Sequence, residues 1–386
     1  MEESKKKKGL PIFISVAAVW MGTHFGPGVA SGTQIDVYYV NYGIPGLCVT
    51  FLAMGILAYA LYCSMEFSRI YHAYDYQSWV TKLFGAKWVV ILFDISFLVT
   101  ILTALGGSIN AVATLMNSHF GFNYWIGVAI VVICGALLCA YGADLVRKAS
   151  SYMMFFVVGI LLVILILLMI YGDADLAGSV ANQKQNLPHV NWLGAIWSAI
   201  VYAAFQATVV ANIASVSDTL PDRRESKKAA ITGFWANSLL LVILGTLLFS
   251  YTNVFKVTEE APPFYALLQR LGFNWLTIVY IIIVFIAVLS TVVGFAFAGV
   301  ARFSKYYQPK EGEHKPLRDG IFVALMLIAC AAASRFGIVK LVSTGYRILG
   351  YLNLPIILIP AIFVGSHKIS KKYLKEHNIE ATGIGD

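Results

Sequence analysis

Apolar stretches, each close to the roughly 20 residues that cross a bilayer as a helix, recur along the whole chain. Ten can be marked, at roughly 10–40, 45–67, 87–117, 123–142, 149–171, 192–217, 229–252, 274–305, 318–335 and 341–365. Of the 386 residues 59% are hydrophobic and 12% charged, against about 25% charged in a soluble domain. The class that follows is an all-α polytopic membrane protein with ten transmembrane helices, whose first partner is the lipid bilayer.

The basic residues orient it. With the N-terminus inside, 22 Lys and Arg fall on the inner side and 5 on the outer, and Arg347 lies within the tenth span. That asymmetry is the positive-inside pattern, and it places both termini in the cytoplasm. The net charge of +8 is thereby a topology device, and a nucleic-acid partner is not expected. Lys5–Lys8 precede the first apolar run without a small-residue cleavage site after it, which disfavours a signal peptide. No Asn-x-Ser/Thr sequon occurs. The expected setting is the bacterial cytoplasmic (inner) membrane.

Ten spans divide into two fives, and an odd number per half inserts the second half upside down, the inverted-repeat plan of many secondary transporters. The expected units are a basic N-terminus (1–9), a first five-helix repeat (10–171), an outer connection (172–191), a second repeat (192–365) and a cytoplasmic tail (366–386). Spans three and eight are the longest of their halves. Spans one and six correspond, and each is expected to be discontinuous. Span six has no central Gly or Pro but gathers Tyr202, Gln206, Thr208 and Asn212. Pro262-Pro263 and Gly272 bracket a short surface helix, a candidate lid.

Span one is visibly interrupted, by THFGPGVASGTQ at 23–34. Proline removes a backbone donor and glycine leaves helical geometry cheaply. In lipid the freed groups must be buried in protein or line a cavity. The inner half-helix would offer carbonyls near Gly22–Phe25 to a cation, and the outer half amides near Val29–Ser31 to a carboxylate. The plainer alternative is a proline kink, with Gly22, Gly26, Gly28 and Gly32 giving close helix packing.

The stretch GPGVASGTQ resembles the first-span signature of the YkvI-like membrane proteins, a family of amino-acid permeases. These belong to the amino acid–polyamine–organocation superfamily, with the LeuT-type inverted repeat. The likeness rests on this motif and on the ten-span layout over nearly the whole chain. It implies a secondary transporter with its substrate between spans one and six. It also gives Ser290 and Thr291, halfway along span eight, a likeness to a sodium site, in which span-eight hydroxyls join the carbonyls of Gly22, Phe25 and Ala287. The alternative is that both hydroxyls bond their own helix. The resemblance further puts an aromatic gate near Phe205.

Candidate substrate contacts are His24, Phe25, Gly26, Gly28, Val29, Ala30 and Ser31 from span one, Thr103 and Gly107 from span three, and Tyr202, Phe205 and Gln206 from span six. Charges inside spans are functional candidates by default. Asp94 can pair with an inner basic residue, gate the inner pathway or carry a proton. Asp36 and Arg347 can pair as an outer gate, or reach water separately. His24 can bind substrate, carry a proton or serve the structure. Glu66 with Arg69 reads as a structural pair.

Enzyme motifs are absent, the five cysteines lie in or beside apolar segments, and no organic cofactor is expected. The functional expectation is a sodium-coupled importer of an amino acid or a related small amine or zwitterion. A proton-coupled carrier using Asp94 or His24, and a transporter-like ligand sensor, stand as alternatives. Substrate identity and oligomeric state are not legible.

Overall fold

The computed structural model describes residues 11–141, 158–259, 262–307 and 316–379. Every element among them is helical. Helices keep the numbers of the expected spans. The described part of each of the ten segments holds helix. Among the described residues seven helices are long and apolar enough to cross a membrane, and an eighth if 158–171 and Leu176–Asn186, bent by 98°, count as one span. Part of the fifth expected span, 149–157, lies outside the described residues.

Span three shows how the sequence sorts its faces. Trp88, Ile91, Ile95, Leu98 and Leu102, spaced three and four apart, are exposed, while Phe93, Ser96, Thr100, Thr103, Gly107 and Asn110 are buried. An apolar stripe turned outward with polar groups turned inward is the arrangement a lipid solvent selects. Spans three (Val89–Phe120, 32 residues) and eight (Asn274–Tyr307, 34 residues) are the longest helices. Gly106 lets span three approach span nine, since a Cβ there would lie 3.3 Å from Ala333 Cβ.

Span one is three pieces: Ile12–His24, Pro27–Ala30 and Thr33–Tyr38. The first ends at Phe25, and Gly26 is extended at ψ −178° ahead of Pro27. Gly32 makes the second turn in the left-handed region, at φ 85°. Span six differs from the expected discontinuity. Trp192–Gln206 passes into a single tight 3-10 turn at Ala207–Val209 and continues as Val210–Val216. Without Gly or Pro, the backbone narrows there and stays hydrogen-bonded. Span ten runs from Ile338 to Lys368 with wide turns at Leu341–Gly345, Leu354–Leu358 and Ala361–Gly365. Pro355 and Pro360, which withhold donors, fall in or beside the last two.

The helix bracketed by Pro262 and Gly272 spans Pro263–Leu271. It sits on span one: Phe264 N–H donates to Ser31 O at 3.2 Å, and its ring would touch any Cβ at Gly32. On the opposite face, helix Tyr76–Phe84 lies between spans two and three. Asp75 caps its start, accepting from Ser78 N at 3.0 Å. The Lys368 ammonium closes its end, donating to Lys82 O and Leu83 O at 2.9 Å each.

Glu66 is fully buried in span two. It accepts from Arg69 at 3.0 Å, Arg223 at 3.1 Å and Ser226 at 2.7 Å. Arg223 also donates to Ile369 O at 2.6 Å, so the carboxylate joins spans two and seven and Arg223 ties them to the chain just past span ten.

Candidate functional site

A cavity of about 700 Å³ enters from the face on which span one begins. Its mouth reaches the surface at Asp75 and Gln77, which are exposed. Inward it is lined by Gly22, Thr23 and Phe25 of span one, Ser96 and Thr100 of span three, Thr208 and Asn212 of span six, and Ala287, Ser290 and Thr291 of span eight.

All five candidate sodium ligands, Gly22, Phe25, Ala287, Ser290 and Thr291, thus line one space. None of the carbonyls of Gly22, Thr23, His24 and Phe25 accepts a hydrogen bond from the described backbone, since the last such bond of the helix is Phe25 N–H to Met21 O at 2.9 Å. These are the orphan acceptors of a helix end. The Thr291 hydroxyl faces the break, 3.9 Å from where a Gly26 Cβ would stand. It donates to Ala287 O at 2.9 Å, which leaves its lone pairs available as an acceptor. Hydroxyl and carbonyl oxygens without a fixed carboxylate suit a hard monovalent cation, so the donor set fits sodium.

The outer half of the break behaves differently from the sequence expectation. The amides of Val29 and Ala30 donate to Gly26 O at 3.1 and 3.0 Å, and that of Ser31 to Pro27 O at 2.8 Å. Extended Gly26 folds its carbonyl back over the short helix and takes the first two donors, and Pro27 O takes the third. Gly28, Val29, Ala30 and Ser31 are completely enclosed. Gln34 lies over Gly28, its Cδ and Cγ 2.7 and 2.8 Å from where a Cβ would stand.

Beyond the cavity the path toward the other face is filled by aromatic rings. Phe205 stacks on Tyr346 with centroids 4.9 Å apart and planes at 6°. Tyr38 packs on Tyr202 at 5.2 Å and on Phe205 at 5.5 Å, and Tyr39 on Tyr202 at 5.0 Å. Tyr202, Phe205 and Gln206 are buried in this plug and its surroundings and do not line the cavity. Thr103 bonds its own helix at Val99 O, 2.7 Å, and Gly107 faces Ile338, both away from the cavity. His24 is buried and also lies outside it, its ring held by Asn237 and Tyr202.

Asp94 pairs with Arg302 of span eight. It also accepts from Tyr76 Oη at 2.7 Å, and the Arg302 guanidinium lies 4.2 Å over the Tyr76 ring. Asp94 is thus held by a basic residue, Arg302, at the cavity that Tyr76 and Arg302 both line. Asp36 and Arg347 do not pair with each other. Among the described residues the Asp36 carboxylate, 5% exposed, meets only Asn41 at 3.5 Å, and its Oδ1 has no hydrogen-bond partner there.

Sequence reasoning gave no role to Ser96, Thr100, Thr23 or the mouth residues Tyr76 and Trp79, all of which line the cavity. Ser96, Thr100 and Thr103 fall on the face of span three opposite its lipid stripe, and that periodicity was the available signal.

Residues 12–304 match the model of the amino acid permease family. The chain is 24% identical over 365 residues to the uncharacterized membrane protein YkvI of Bacillus subtilis (strain 168), covering 92% of this chain and 96% of that one. Among solved structures it resembles MhsT in complex with L-phenylalanine (TM-score 0.63, 15% identity, 94% of this chain and 97% of that chain). It also resembles a Na+-coupled sialic acid symporter in an outward-open state (0.61, 14%, 92% and 79%) and a manganese transporter of Eremococcus coleocola (0.66, 13%, 97% and 83%). These similarities establish the fold. With a broken first helix, a cavity open to one face and an aromatic plug toward the other, the chain belongs to the amino acid permease family and is a YkvI-like membrane transporter.

Proposed function

We propose that the protein is a sodium-coupled secondary transporter that imports an amino acid or a related small amine or zwitterion by alternating access. The observation that carries this reading is the meeting of Gly22, Phe25, Ala287, Ser290 and Thr291 on one cavity wall, with four span-one carbonyls lacking backbone partners. A cation there would be held between span one and span eight. Its binding would draw the two together, and its release would let the cavity open, so that cation occupancy biases the conformational equilibrium.

The structure corresponds in this reading to the inward-open state. Its open face carries the basic loop ends that the positive-inside pattern assigns to the cytoplasm. Spans one, two, six and seven would move against three, four, eight and nine, as in a five-plus-five inverted repeat. A proton-coupled carrier using Asp94 or His24 is the alternative, and the proton-gradient arm below separates the two.

The test is uptake into proteoliposomes under an inward sodium gradient, with a proton gradient and an equilibrated control as parallel arms. A ligand-induced thermal-shift screen over amino acids and amines supplies the substrate. Accumulation driven by sodium and lost in the Ser290→Ala/Thr291→Ala protein supports the reading. Accumulation driven by protons alone moves the coupling to a proton carrier. Ligand binding with no accumulation under any gradient makes the protein a sensor.

A further inference from the structure

His24 ends the inner half of span one, next to Phe25 and two residues after Gly22. Its ring is buried, and both nitrogens are engaged. Nδ1 is 2.7 Å from Asn237 Oδ1 and Nε2 is 2.8 Å from Tyr202 Oη. The donor at each contact follows from the third bond in the chain. Asn237 Nδ2 donates to Gly233 O at 2.7 Å, which fixes the amide with Oδ1 toward the imidazole. Oδ1 can only accept, so Nδ1 carries the proton. In the neutral imidazole Tyr202 Oη then donates to the bare Nε2. The relay runs Tyr202 to His24 to Asn237 to Gly233, with one hydrogen in each link and both ring nitrogens satisfied.

A second contact runs parallel to this one. Trp20, one turn before His24, packs on Gly233, one turn before Asn237, so closely that a Cβ on Gly233 would enter the indole. Two rungs four residues apart therefore lock span one to span seven, and Tyr202 adds span six. Both rungs lie on one face of the Ile12–His24 helix. The carbonyls of Gly22–Phe25 belong to the last turn of that helix, which His24 anchors.

We infer that His24 is the positioning residue for the carbonyl cluster at the span-one break. Held as the Nδ1–H tautomer between Asn237 and Tyr202, it fixes the rotation of the last helical turn, and it touches neither substrate nor cation. The inference rests on the sodium reading only for the ligand that the cluster takes. The device itself is the three-helix relay. A metal ligand's supporting hydrogen bonds are commonly worth 10–100-fold in affinity, and the same logic applies where the ligands are carbonyls whose direction a neighbour holds.

The test has two arms on the purified full-length protein. In the first, histidine is labelled with 15N and the imidazole resonances are read at neutral pH. The pair that vanishes in His24→Gln is expected to show a protonated Nδ1 and a bare Nε2. An imidazolium or an Nε2–H tautomer overturns the inference. In the second, sodium chloride is titrated against choline chloride while tryptophan fluorescence is followed. Gln keeps a donor and an acceptor at the tip, and His24→Gln is expected to bind sodium within about twofold of the parent. His24→Phe and Tyr202→Phe, which keep the rings and lose the bonds, are expected to weaken it about tenfold. Unchanged sodium affinity in both Phe variants overturns the positioning role. A parent protein that gives no sodium response in either fluorescence or uptake overturns the sodium reading instead, and the first arm then decides the tautomer and the relay by itself.

Discussion

Phe205 and Tyr346 lie face to face, 4.9 Å apart and 6° from parallel, and they join span six to span ten across the path that the cavity does not reach. An aromatic pair of this kind is worth about 0.5–1.5 kcal/mol beyond the area it buries. In the proposed alternating cycle the stack would open when the other face does. Phe205→Ala is expected to favour the state open to the other face by several-fold. In a cysteine-free background carrying Thr208→Cys, which lines the cavity, a membrane-impermeant thiol reagent applied from the span-one face should label several-fold more slowly. An unchanged rate would mean that the stack does not hold the closure.

Thr291 should affect ions before it affects stability. Thr291 bonds its own helix at Ala287 O, so alanine there leaves no distant buried partner stranded. The expected result for Thr291→Ala is a half-saturating sodium concentration raised at least about tenfold, with a thermal midpoint within a few degrees of the parent. Thr291→Ser, which keeps the hydroxyl, should restore most of the affinity. A large drop in melting temperature with normal sodium dependence would make the residue structural.

The break in span one was legible because glycine and proline write their conformations into the sequence directly. The helix over Pro263–Leu271 was legible for the same kind of reason, a local start and stop signal, whereas the three-and-four spacing of span three was present in the sequence and went unread. What was hidden is rotation and tightening. Span six narrows by a 3-10 turn that any residue adopts, so no marker residue announces it. The LeuT-type fold that the resemblance implies sets spans one and ten side by side, yet the Asp36 carboxylate meets Asn41, and helix rotation is invisible without the packed neighbours. The partners of His24 stand 178 and 213 positions away. The Arg302 that answers Asp94 is as remote, and only the fold brings them together.

Glu66 tests the cost of an interrupted buried charge network. Its carboxylate serves Arg69, Arg223 and Ser226 from a fully buried position. Removing one member of a buried ion pair costs about 3–5 kcal/mol, because the remaining charge is left unpaired. Glu66→Ala should therefore unfold or fail to accumulate in detergent, as read by thermal melting and size-exclusion chromatography. Glu66→Gln, which still accepts hydrogen bonds, should fall between the two. A melting temperature for the alanine variant equal to that of the parent would rule out the structural role.

Asp173 and Arg270 give a pH dependence outside the membrane. Arg270, on the helix over span one, pairs with Asp173 at the outer end of span five, and its guanidinium lies 4.8 Å over Phe255. The hydrogen bond from Arg270 holds the Asp173 carboxyl below its ordinary value. A depressed folded-state value means that the pair's contribution is complete above the unfolded aspartate range, near pH 4. It is lost as pH falls through the lower folded value. Protease cleavage in the 251–273 region should thus rise as pH drops below about 4 in the parent protein. In Arg270→Gln it should already be high at pH 6 and change little on acidification. The pair is exposed, so high salt should mimic the substitution. Equal protection of both proteins at pH 6 would show that the helix is held by Phe264 and its apolar face alone.

Gly28 and Gln34 make a reciprocal prediction. The Gln34 side chain occupies the space that a Gly28 Cβ would need. The site is enclosed, with Gln34 only 5% exposed, so the amide has little room to withdraw. Gly28→Ala should therefore displace Gln34 and disturb the helix Pro27–Ala30, lowering the thermal midpoint by an amount in the overpacking range of about 1–3 kcal/mol. Gln34→Ala vacates that space, and the Gly28→Ala/Gln34→Ala protein should recover most of the loss. The two effects are expected to be strongly non-additive, which a double-mutant cycle measures. Additive losses would mean that Gly28 is required for its own backbone conformation, independently of the side chain that covers it.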